Sequence, residues 1–284
     1  MNIQWYPGHM TKARRAMEED LKLVDIVVEL LDARIPSSSR NPDLRTMAQS
    51  KKKIVILNKA DLADPAVTPL WLESLRSEGC EPIPLDARSN TGLSAVRSAI
   101  DAAAREKRER DLRRGIKNRP IRLMVAGIPN VGKSTFINSL AGKTAAKTGD
   151  KPGVTRGNQW ISLGRSVDLL DTPGILWPRF EDPQVGIRLA LIGSIREEVL
   201  ETVLLAREGI RLLEERYPGK VREHYGIEGS DAAELIGSLA RVRHTVKKGG
   251  EPDEERAAAL FLNDLRRSAL GRLTLELPSG AEGE

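Results

Sequence analysis

The stretch Gly127-Ile-Pro-Asn-Val-Gly-Lys-Ser134 decides the fold of this chain of 284 residues. It matches the pattern G-x-x-x-x-G-K-[ST], and it lies between an apolar run at 121–127 and a segment with helical spacing at 133–141. In that setting the pattern indicates a phosphate-binding loop (P-loop), whose backbone N–H groups and helix amino terminus surround the phosphates of a nucleotide. Lys133 is predicted to contact the β- and γ-phosphates, and Ser134 is predicted to ligate Mg²⁺.

The segments on either side of this loop predict the fold class. Short runs rich in Val, Ile and Leu occur at 25–31, 53–57, 121–127 and 167–171, and each is bounded by turn residues. Such runs are typical of strands that are buried on both faces of a parallel sheet. They alternate with helical patterns at 67–77, 92–110 and 133–141. The sequence therefore predicts an α/β three-layer sandwich with a mostly parallel sheet.

The pattern changes after Pro178, where apolar residues recur only at helical spacing. Helices are predicted at 184–192, 196–216, 231–243 and 253–269. We therefore expect a nucleotide-binding domain over residues 1–178, with an amino-terminal arm at 1–20, and a small all-α domain over residues 179–284. The segment after residue 270 is expected to add one strand.

Composition and charge restrict the classes of function. The chain is 40% hydrophobic and 30% charged, which is typical of a globular protein, and it has no run of 18 apolar residues. With no secretory signal and a single cysteine, Cys80, we expect a cytoplasmic protein without a disulfide. Residues 1–178 contain 29 Lys and Arg against 20 Asp and Glu, whereas residues 179–284 contain 16 against 20. The basic excess, concentrated in residues 105–122, indicates either a polyanionic partner or a solvated helix face.

The identity of the base is indicated by Asn58-Lys59-Ala60-Asp61, which matches N-K-x-D at the end of a predicted strand. The Asp61 carboxylate can accept two hydrogen bonds, from N1–H and the exocyclic amine of guanine, and adenine offers no such pair of donors. Lys59 can lay its aliphatic stem along the base, and Asn58 can hold neighbouring loops together. GTP is therefore the expected nucleotide, and an ATPase or nucleotide kinase is disfavoured.

Two further segments complete the phosphate site. Asp171-Thr172-Pro173-Gly174 follows the strand predicted at 167–171. Asp171 can hold Mg²⁺ through water, and the Gly174 N–H can contact the γ-phosphate. Thr155, in a polar loop at 152–155, is the candidate threonine that closes on Mg²⁺ and the γ-phosphate. An ordinary Pro-Gly turn is the alternative interpretation of that loop.

The order of these motifs is unusual. In ordinary small GTPases the P-loop comes first and N-K-x-D comes last, whereas here N-K-x-D at 58–61 precedes the P-loop at 127–134. The sequence is therefore predicted to be circularly permuted, with residues 105–122 joining the former ends. Permutation can keep the spatial site intact, because the termini of such a domain often lie close together.

Three further segments accompany the permuted motifs: Trp5-Tyr6-Pro7-Gly8-His9-Met10, Leu31-Asp32-Ala33-Arg34-Ile35-Pro36 and Asn41-Pro42. With them, the chain resembles the YlqF/RbgA family of circularly permuted GTPases over nearly its whole length. The resemblance implies a GTPase that binds a late precursor of the large (50S) ribosomal subunit, contacts ribosomal RNA, and leaves after GTP hydrolysis. A bacterial cytoplasmic protein and a monomer are expected. The residues predicted to contact GTP are Asn58, Lys59, Asp61, Asp86, Ala87, Asn130, Val131, Gly132, Lys133, Ser134, Thr135, Thr155 and Gly174.

The resemblance also implies how the water is activated. Many GTPases position the attacking water with a glutamine directly after D-x-x-G, but this chain has Ile175 there. The resemblance implies that His9 takes this role, since an imidazole can orient water near neutral pH. It also implies that Asn130 ligates a K⁺ ion beside the phosphates. Without the resemblance, His9 would be a solvated surface residue and Asn130 would only cap the loop.

One segment departs from the family pattern. The loop that contacts the guanine base usually contains Ser-Ala, whereas here Leu85–Gly92 has Asp86 in place of the serine. The Ala87 N–H can still donate to the guanine O6, so both residues are kept in the predicted site.

The function of the helical region is less constrained. The segment 241–248 is locally basic, and it is interpreted either as an RNA contact, which the resemblance implies, or as a solvated helix end. Two other classes of function fit the motifs: a GTP-switched signalling protein and an RNA-binding scaffold with an inert nucleotide site. Intact Lys133, Ser134, Thr155 and Asp171 disfavour an inert site.

Overall fold

The computed structural model describes residues 7–116, 119–142, 159–164, 166–174, 176–177, 180–195, 201–247, 249 and 251–281. Six strands in this part of the chain form one sheet, in the order β3-β2-β1-β4-β6-β5. Every neighbouring pair is parallel except β5 and β6. The strands are β1 Ile26–Asp32, β2 Lys52–Asn58, β3 Pro82–Leu85, β4 Ile121–Ala126, β5 Gln159–Ser162 and β6 Val167–Asp171. The predicted α/β fold with a mostly parallel sheet is confirmed.

The register of the sheet brings the carboxyl ends of its central strands together. Asp32 at the end of β1 pairs with Asn58 at the end of β2, and Glu29 pairs with Ala126 at the end of β4. On one side of β1 the chain moves outward to β2 and then β3; on the other side lies β4, after which the chain forms the edge strand β5 and then β6 between β4 and β5. Ligands of open parallel sheets bind in the crevice at such a switch point.

Ten helices surround and extend this sheet in the described residues. Those that accompany the strands are α1 Pro7–Leu23, α2 Pro42–Met47, α3 Thr68–Ser77, α4 Leu93–Arg113 and α5 Lys133–Ala141. Those that follow the last strand are α6 Pro183–Leu191, α7 Thr202–Arg216, α8 Lys220–Tyr225, α9 Ala232–Val242 and α10 Glu254–Arg266.

The starts of several helices follow from local chemistry. Asp182 caps α6 by accepting from Gln184 N, and the fixed φ of Pro183 suits the first helical position. Asp231 and Asp253 cap α9 and α10 in the same way. Gly92 precedes α4 with φ +92°, and a Cβ there would lie 2.3 Å from Pro84 O, so only glycine fits this turn.

Apolar side chains bury both faces of the sheet. On one face α1 packs Met17 and Leu21 against Val27 of β1 and Met124 of β4. On the other face, residues of the sheet belong to a cluster that continues into α6, α7, α9 and α10. The division at residue 178 stays a prediction, and one continuous cluster of buried residues crosses it.

The structure differs from the sequence-based expectations in three places. β3 and β5 were not predicted, because each has four residues, β3 contains two prolines, and only Ile161 of β5 is buried. Residues 7–23, treated only as an arm, form the helix α1. The strand expected after residue 270 is wrong for the described residues. Leu273 N donates to Leu62 O and Leu275 N donates to Arg34 O, so this segment bonds two separate loops and forms no ladder.

In the described ranges, none of the helices has the length and apolar character needed to cross a membrane.

Candidate nucleotide-binding site

The P-loop connects β4 to α5 at the central crevice of the sheet. A Cβ at Gly127 would lie 2.7 Å from Leu30 O of β1, and one at Gly132 would lie 2.4 Å from Asn58 Nδ2. Gly132 also has φ +97°. Both positions therefore require glycine, because the loop passes against neighbouring strands and its backbone turns left-handed. The loop is tightly curled around the amino terminus of α5.

Lys133, the first residue of α5, directs its ammonium group into the curl of the loop. Its Nζ donates to Ile128 O at 2.8 Å and to Gly127 O at 3.1 Å, and only 6% of the residue is exposed. Burial lowers the pKa of Lys133 to about 8; the charge of Asp171 opposes this effect and that of Lys59 adds to it. A poorly solvated cation held by carbonyl groups is well placed to receive an anion such as a phosphate.

Asp171 ends β6 beside this lysine. The residue is 2% exposed, and its Oδ1 is buried without a hydrogen-bond partner among the residues that the structure describes. Burial raises the pKa of Asp171, and the Lys133 charge opposes that rise. A buried carboxylate oxygen without a partner is a hard donor atom of the kind that Mg²⁺ prefers. With the Ser134 hydroxyl one residue into α5, the donor set fits a magnesium ion.

The rest of D-x-x-G lies directly against the P-loop. Thr172 Oγ1 donates to Val125 O of β4 at 2.8 Å, which ties the segment to the strand before the loop. A Cβ at Gly174 would lie 2.7 Å from Pro129 N and 2.8 Å from Lys133 Nζ. Gly174 therefore lies next to the lysine of the P-loop, and no larger residue fits.

Asn58 joins the two loops on either side of it. Its Nδ2 donates to Val131 O of the P-loop at 2.8 Å, and its Oδ1 accepts from Ala87 N at 3.3 Å. The residue is 2% exposed. One buried side chain thus links N-K-x-D, the P-loop and the loop 85–92, and satisfies two backbone groups that would otherwise be buried unpaired.

Lys59 extends across the P-loop and contacts a charged pair that sequence analysis treated only as part of a family signature. Its Nζ donates to Asn130 O at 2.6 Å and lies 3.0 Å from Asp32 Oδ2. The fully buried Asp32 also accepts from Arg34 Nε and Nη2, at 2.9 and 2.8 Å. Burial alone would raise the pKa of Asp32, but the charges of Arg34 and Lys59 hold it well below its usual range. Asp32 therefore remains an anion that orients Lys59.

The residues predicted to contact the base lie on the loops that follow β2 and β3. Asp61 is exposed at the surface, and the partial desolvation of its carboxylate, together with the charge of Asp86, raises its pKa. Asp86 accepts from the backbone N–H groups of Arg88 and Ser89, so it shapes the loop 85–92. The Ala87 N–H is directed to Asn58 Oδ1, and its donation to a guanine O6 stays a prediction.

The P-loop also contacts the helical region, and no sequence motif predicts this contact. Asn130 Nδ2 donates to Gly193 O at 2.7 Å, and Ser194 Oγ donates to Pro129 O at 2.8 Å. Both partners follow α6. No local pattern announces these bonds, because the paired residues are more than 60 positions apart in the chain.

Three residues that the sequence singles out, Thr155, Ile175 and His9, have no described side chain. Thr155 and Ile175 lie outside the described residues. His9 lies in α1, for which the structure describes the backbone but not this side chain. The structure brings together the remaining predicted residues at the carboxyl edge of the sheet: Asn58, Lys59, Asp61, Asp86, Ala87, Asn130, Val131, Gly132, Lys133, Ser134, Thr135, Asp171 and Gly174.

Comparisons with known proteins agree with this geometry. A family model described as 50S ribosome-binding GTPase matches residues 122–224. Ribosome biogenesis GTPase A of Bacillus pumilus is 45% identical over 280 residues, 98% of this chain and 99% of the relative. The protein of the same name from Priestia megaterium is 45% identical over 99% of each chain. The crystal structure of GNP-bound YlqF from T. maritima superposes with a TM-score of 0.68 at 31% identity, covering 94% of this chain and 99% of that one.

Proposed function

The chain belongs to the ribosome biogenesis GTPase A family, and we propose that this circularly permuted GTPase binds a late precursor of the large ribosomal subunit and is released after GTP hydrolysis. One observation carries the proposal. The P-loop, N-K-x-D and D-x-x-G, separated along a permuted sequence, meet at one edge of the sheet around Lys133 and Asp171. Hydrolysis of GTP to GDP and phosphate is the activity of a GTPase family.

The phosphates would bind in the curl of the P-loop. There the Lys133 ammonium would exchange its two carbonyl partners for β- and γ-phosphate oxygens. Ser134, Thr155 and Asp171 would hold Mg²⁺, which supplies positive charge to the developing phosphate charge. Gly174 would present its N–H to the γ-phosphate, because it already lies beside Lys133. Loss of that phosphate would then release the segment after residue 174.

The base would be recognised by Asp61. Its exposed carboxylate can accept from both N1–H and the exocyclic amine of guanine. Lys59 Nζ is held by the P-loop and Asp32, and the aliphatic stem of Lys59 would lie along the base. Asn58 would keep the base loops and the P-loop at a constant spacing.

The attacking water would be oriented by His9, since Ile175 offers no polar group for this purpose. A K⁺ ion at Asn130 would add positive charge beside the phosphates. The Asn130 NH₂ group is bonded to Gly193 O, which anchors this side chain at the edge of the P-loop. Both roles are proposed from the resemblance to the YlqF/RbgA family.

Ribosomal RNA would be contacted by exposed basic side chains. On α4 these include Arg105, Arg108, Arg110 and Arg113; the other group is Arg241 in the last turn of α9 with Arg243 and Lys247 just after that helix. Arg243 lies over the Tyr225 ring at 5.5 Å, which presents its guanidinium in a defined position. Charge reversal of each group in turn, with subunit affinity measured in a salt series, tests which one contacts phosphate.

The proposed function is tested by GTP turnover of the purified chain in KCl and in NaCl, with and without large ribosomal subunits, and with ATP as control. We expect slow, GTP-specific turnover that rises strongly when subunits and K⁺ are both present. Turnover that subunits leave unchanged in both salts would favour a signalling protein. No turnover under any condition would favour an inert scaffold.

A further inference from the structure

The segment that follows α10, residues 271–277, crosses the loop that contains Asp61. We call this segment the strap, and we call residues 58–64 the base loop. Four consecutive residues of the strap, Leu273–Glu276, are each 5% exposed or less. The strap is therefore part of the packed structure, although it has no regular secondary structure.

Hydrogen bonds from the strap reach the base loop on both sides of Asp61. Arg272 Nη2 donates to Ala60 O at 2.9 Å, and Leu273 N donates to Leu62 O at 3.1 Å. Arg272 Nε donates to Ala63 O at 2.9 Å. The strap thus holds the carbonyl groups of both neighbours of Asp61, Ala60 and Leu62.

The far end of the base loop is held as well. Asp64 N donates to Thr274 Oγ1 at 3.0 Å, and the Tyr217 hydroxyl donates to Asp64 Oδ2 at 2.9 Å. Thr274 N donates to that same Tyr217 hydroxyl at 3.0 Å. Tyr217 follows α7, so the helical region also supports the base loop through this network.

The strap has its own anchor away from Asp61. The Glu276 carboxylate accepts from Ser38 N at 2.9 Å and lies 3.4 Å from Arg188 Nη1 of α6. The Glu276 carbonyl accepts from Trp71 Nε1 of α3 at 3.1 Å. Leu275 N donates to Arg34 O at 2.8 Å. These bonds hold the strap against other elements of the structure. The strap can therefore hold the base loop in a constant position.

From these contacts we propose that the strap is a specificity-determining support: Arg272 and Tyr217 are positioning residues that hold Asp61 where its carboxylate reads the guanine base. The inference rests on the proposed function, because it takes Asp61 as the group that contacts guanine. Asp61 itself is exposed, so its position depends on how its backbone is held.

The test compares the affinities for GDP and IDP. The two nucleotides differ only in the exocyclic amine, which GDP has and IDP lacks, and from which Asp61 would accept a hydrogen bond. Arg272 is exposed, so Arg272→Ala should fold, and it removes two of the bonds to the base loop. We expect GDP affinity to fall about threefold to tenfold and IDP affinity to fall less. The ratio of GDP affinity to IDP affinity should therefore move toward one. KM for GTP should rise while kcat stays constant. Tyr217→Phe should shift the ratio in the same direction.

Matched variants separate the possible outcomes. Arg272→Lys should recover part of the ratio, and Arg267→Ala, an exposed arginine outside the strap, should keep the wild-type ratio. Equal losses for GDP and IDP in Arg272→Ala would overturn the proposal, because the strap would then only stabilise the fold. Asp61→Asn is the reference: if it abolishes the GDP preference while Arg272→Ala and Tyr217→Phe retain it, the strap proposal alone fails. If Asp61→Asn leaves the preference intact, the assignment of Asp61 to the base fails.

Discussion

At the scale of single residues, the candidate site consists of charges that burial has made reactive toward an ionic ligand. Lys133 and Asp171 lie side by side and are buried. Burial lowers the pKa of Lys133 and raises the pKa of Asp171, so it favours the neutral form of each. Nucleotide phosphate and Mg²⁺ would supply the missing counter-charges. The buried charges of these residues therefore destabilise the nucleotide-free protein and favour ligand binding.

Asp171→Asn tests the role of the unpaired carboxylate oxygen. We expect Mg²⁺-dependent GTP turnover to fall by about tenfold to a hundredfold, since the amide carries no charge toward the metal. The melting temperature without nucleotide should change little, because burial already disfavours the Asp171 charge. Turnover across a Mg²⁺ titration measures the effect, and Asp168→Asn on the same strand is the control. Unchanged Mg²⁺ dependence in Asp171→Asn would contradict this role.

Lys133 predicts a pH dependence of phosphate binding. In the nucleotide-free protein its ammonium loses a proton as the pH rises through about 8. A bound phosphate favours the charged form and raises the pKa of Lys133. GDP affinity should therefore be independent of this group below pH 8 and fall above it, by at most about tenfold per pH unit. Titrations from pH 7 to 9 measure this, because the guanine N1–H itself ionises at higher pH; guanosine, which has the base without phosphate, should lose much less affinity over that range. Equal slopes for both ligands would contradict the prediction.

His9→Ala tests the proposed orientation of water. We expect hydrolysis stimulated by large subunits to fall at least about tenfold, because a general acid–base group contributes about 10² or more. GTP affinity should remain close to that of the unsubstituted chain, since the binding motifs lie elsewhere. Single-turnover assays with subunits and separate nucleotide titrations give the two quantities. Equal stimulated turnover in the variant would remove His9 from the mechanism.

At the scale of elements, the site depends on loops that are tied to each other rather than on any one strand or helix. Asn58 bonds the P-loop and the loop 85–92, and Lys59 bonds the P-loop and Asp32. The strap adds bonds to the base loop from the other side. Loops connected in this way keep a site preorganised although each is short and irregular.

Asn58→Ala tests this coupling between loops. The substitution leaves Val131 O and Ala87 N without their partner, so we expect the free energy of unfolding to fall by about 1–3 kcal/mol. GDP affinity should fall as well, because both loops are proposed to contact the nucleotide. Urea unfolding and GDP titration measure the two effects. Asn263→Ala, at an exposed position on α10, is the matched control. A loss of stability with full GDP affinity would show that the loops are positioned independently of Asn58.

At the scale of the whole molecule, the sheet and the following helices share one apolar core. Buried residues of β1 and β4 belong to the same cluster as buried residues of α6, α7 and α10. A polar contact also joins the part before residue 178 to the helices: Arg34 Nη1 donates to Arg266 O of α10 at 3.1 Å. Within the helical region, Arg266 Nη2 in turn donates to Ala190 O of α6 at 2.9 Å. A nucleotide site joined to the helices in this way can transmit its state to a partner that contacts them.

We therefore expect the chain to unfold in one transition. All four tryptophans precede residue 178, so their fluorescence follows the first part, whereas far-UV circular dichroism follows the helices of both parts. Urea curves from the two probes should coincide, and saturating GDP should shift both by the same amount. A separate circular-dichroism transition that GDP leaves unshifted would show two independent folding units.

The sequence by itself determined the α/β fold and the location of the nucleotide motifs. Strands buried on both faces require continuous apolar runs, and the P-loop requires glycines at close backbone approaches such as Gly127 and Gly132, so both leave a local pattern. Short edge strands such as β5 bury too little to leave one. The tertiary structure decided the Asp32–Arg34–Lys59 network, the Asn130 bond to Gly193 and the strap over Asp61. Each consists of hydrogen bonds or ion pairs completed only by folding, and the bond from Arg272 to Ala60 joins residues 212 positions apart, whose pairing no local periodicity records.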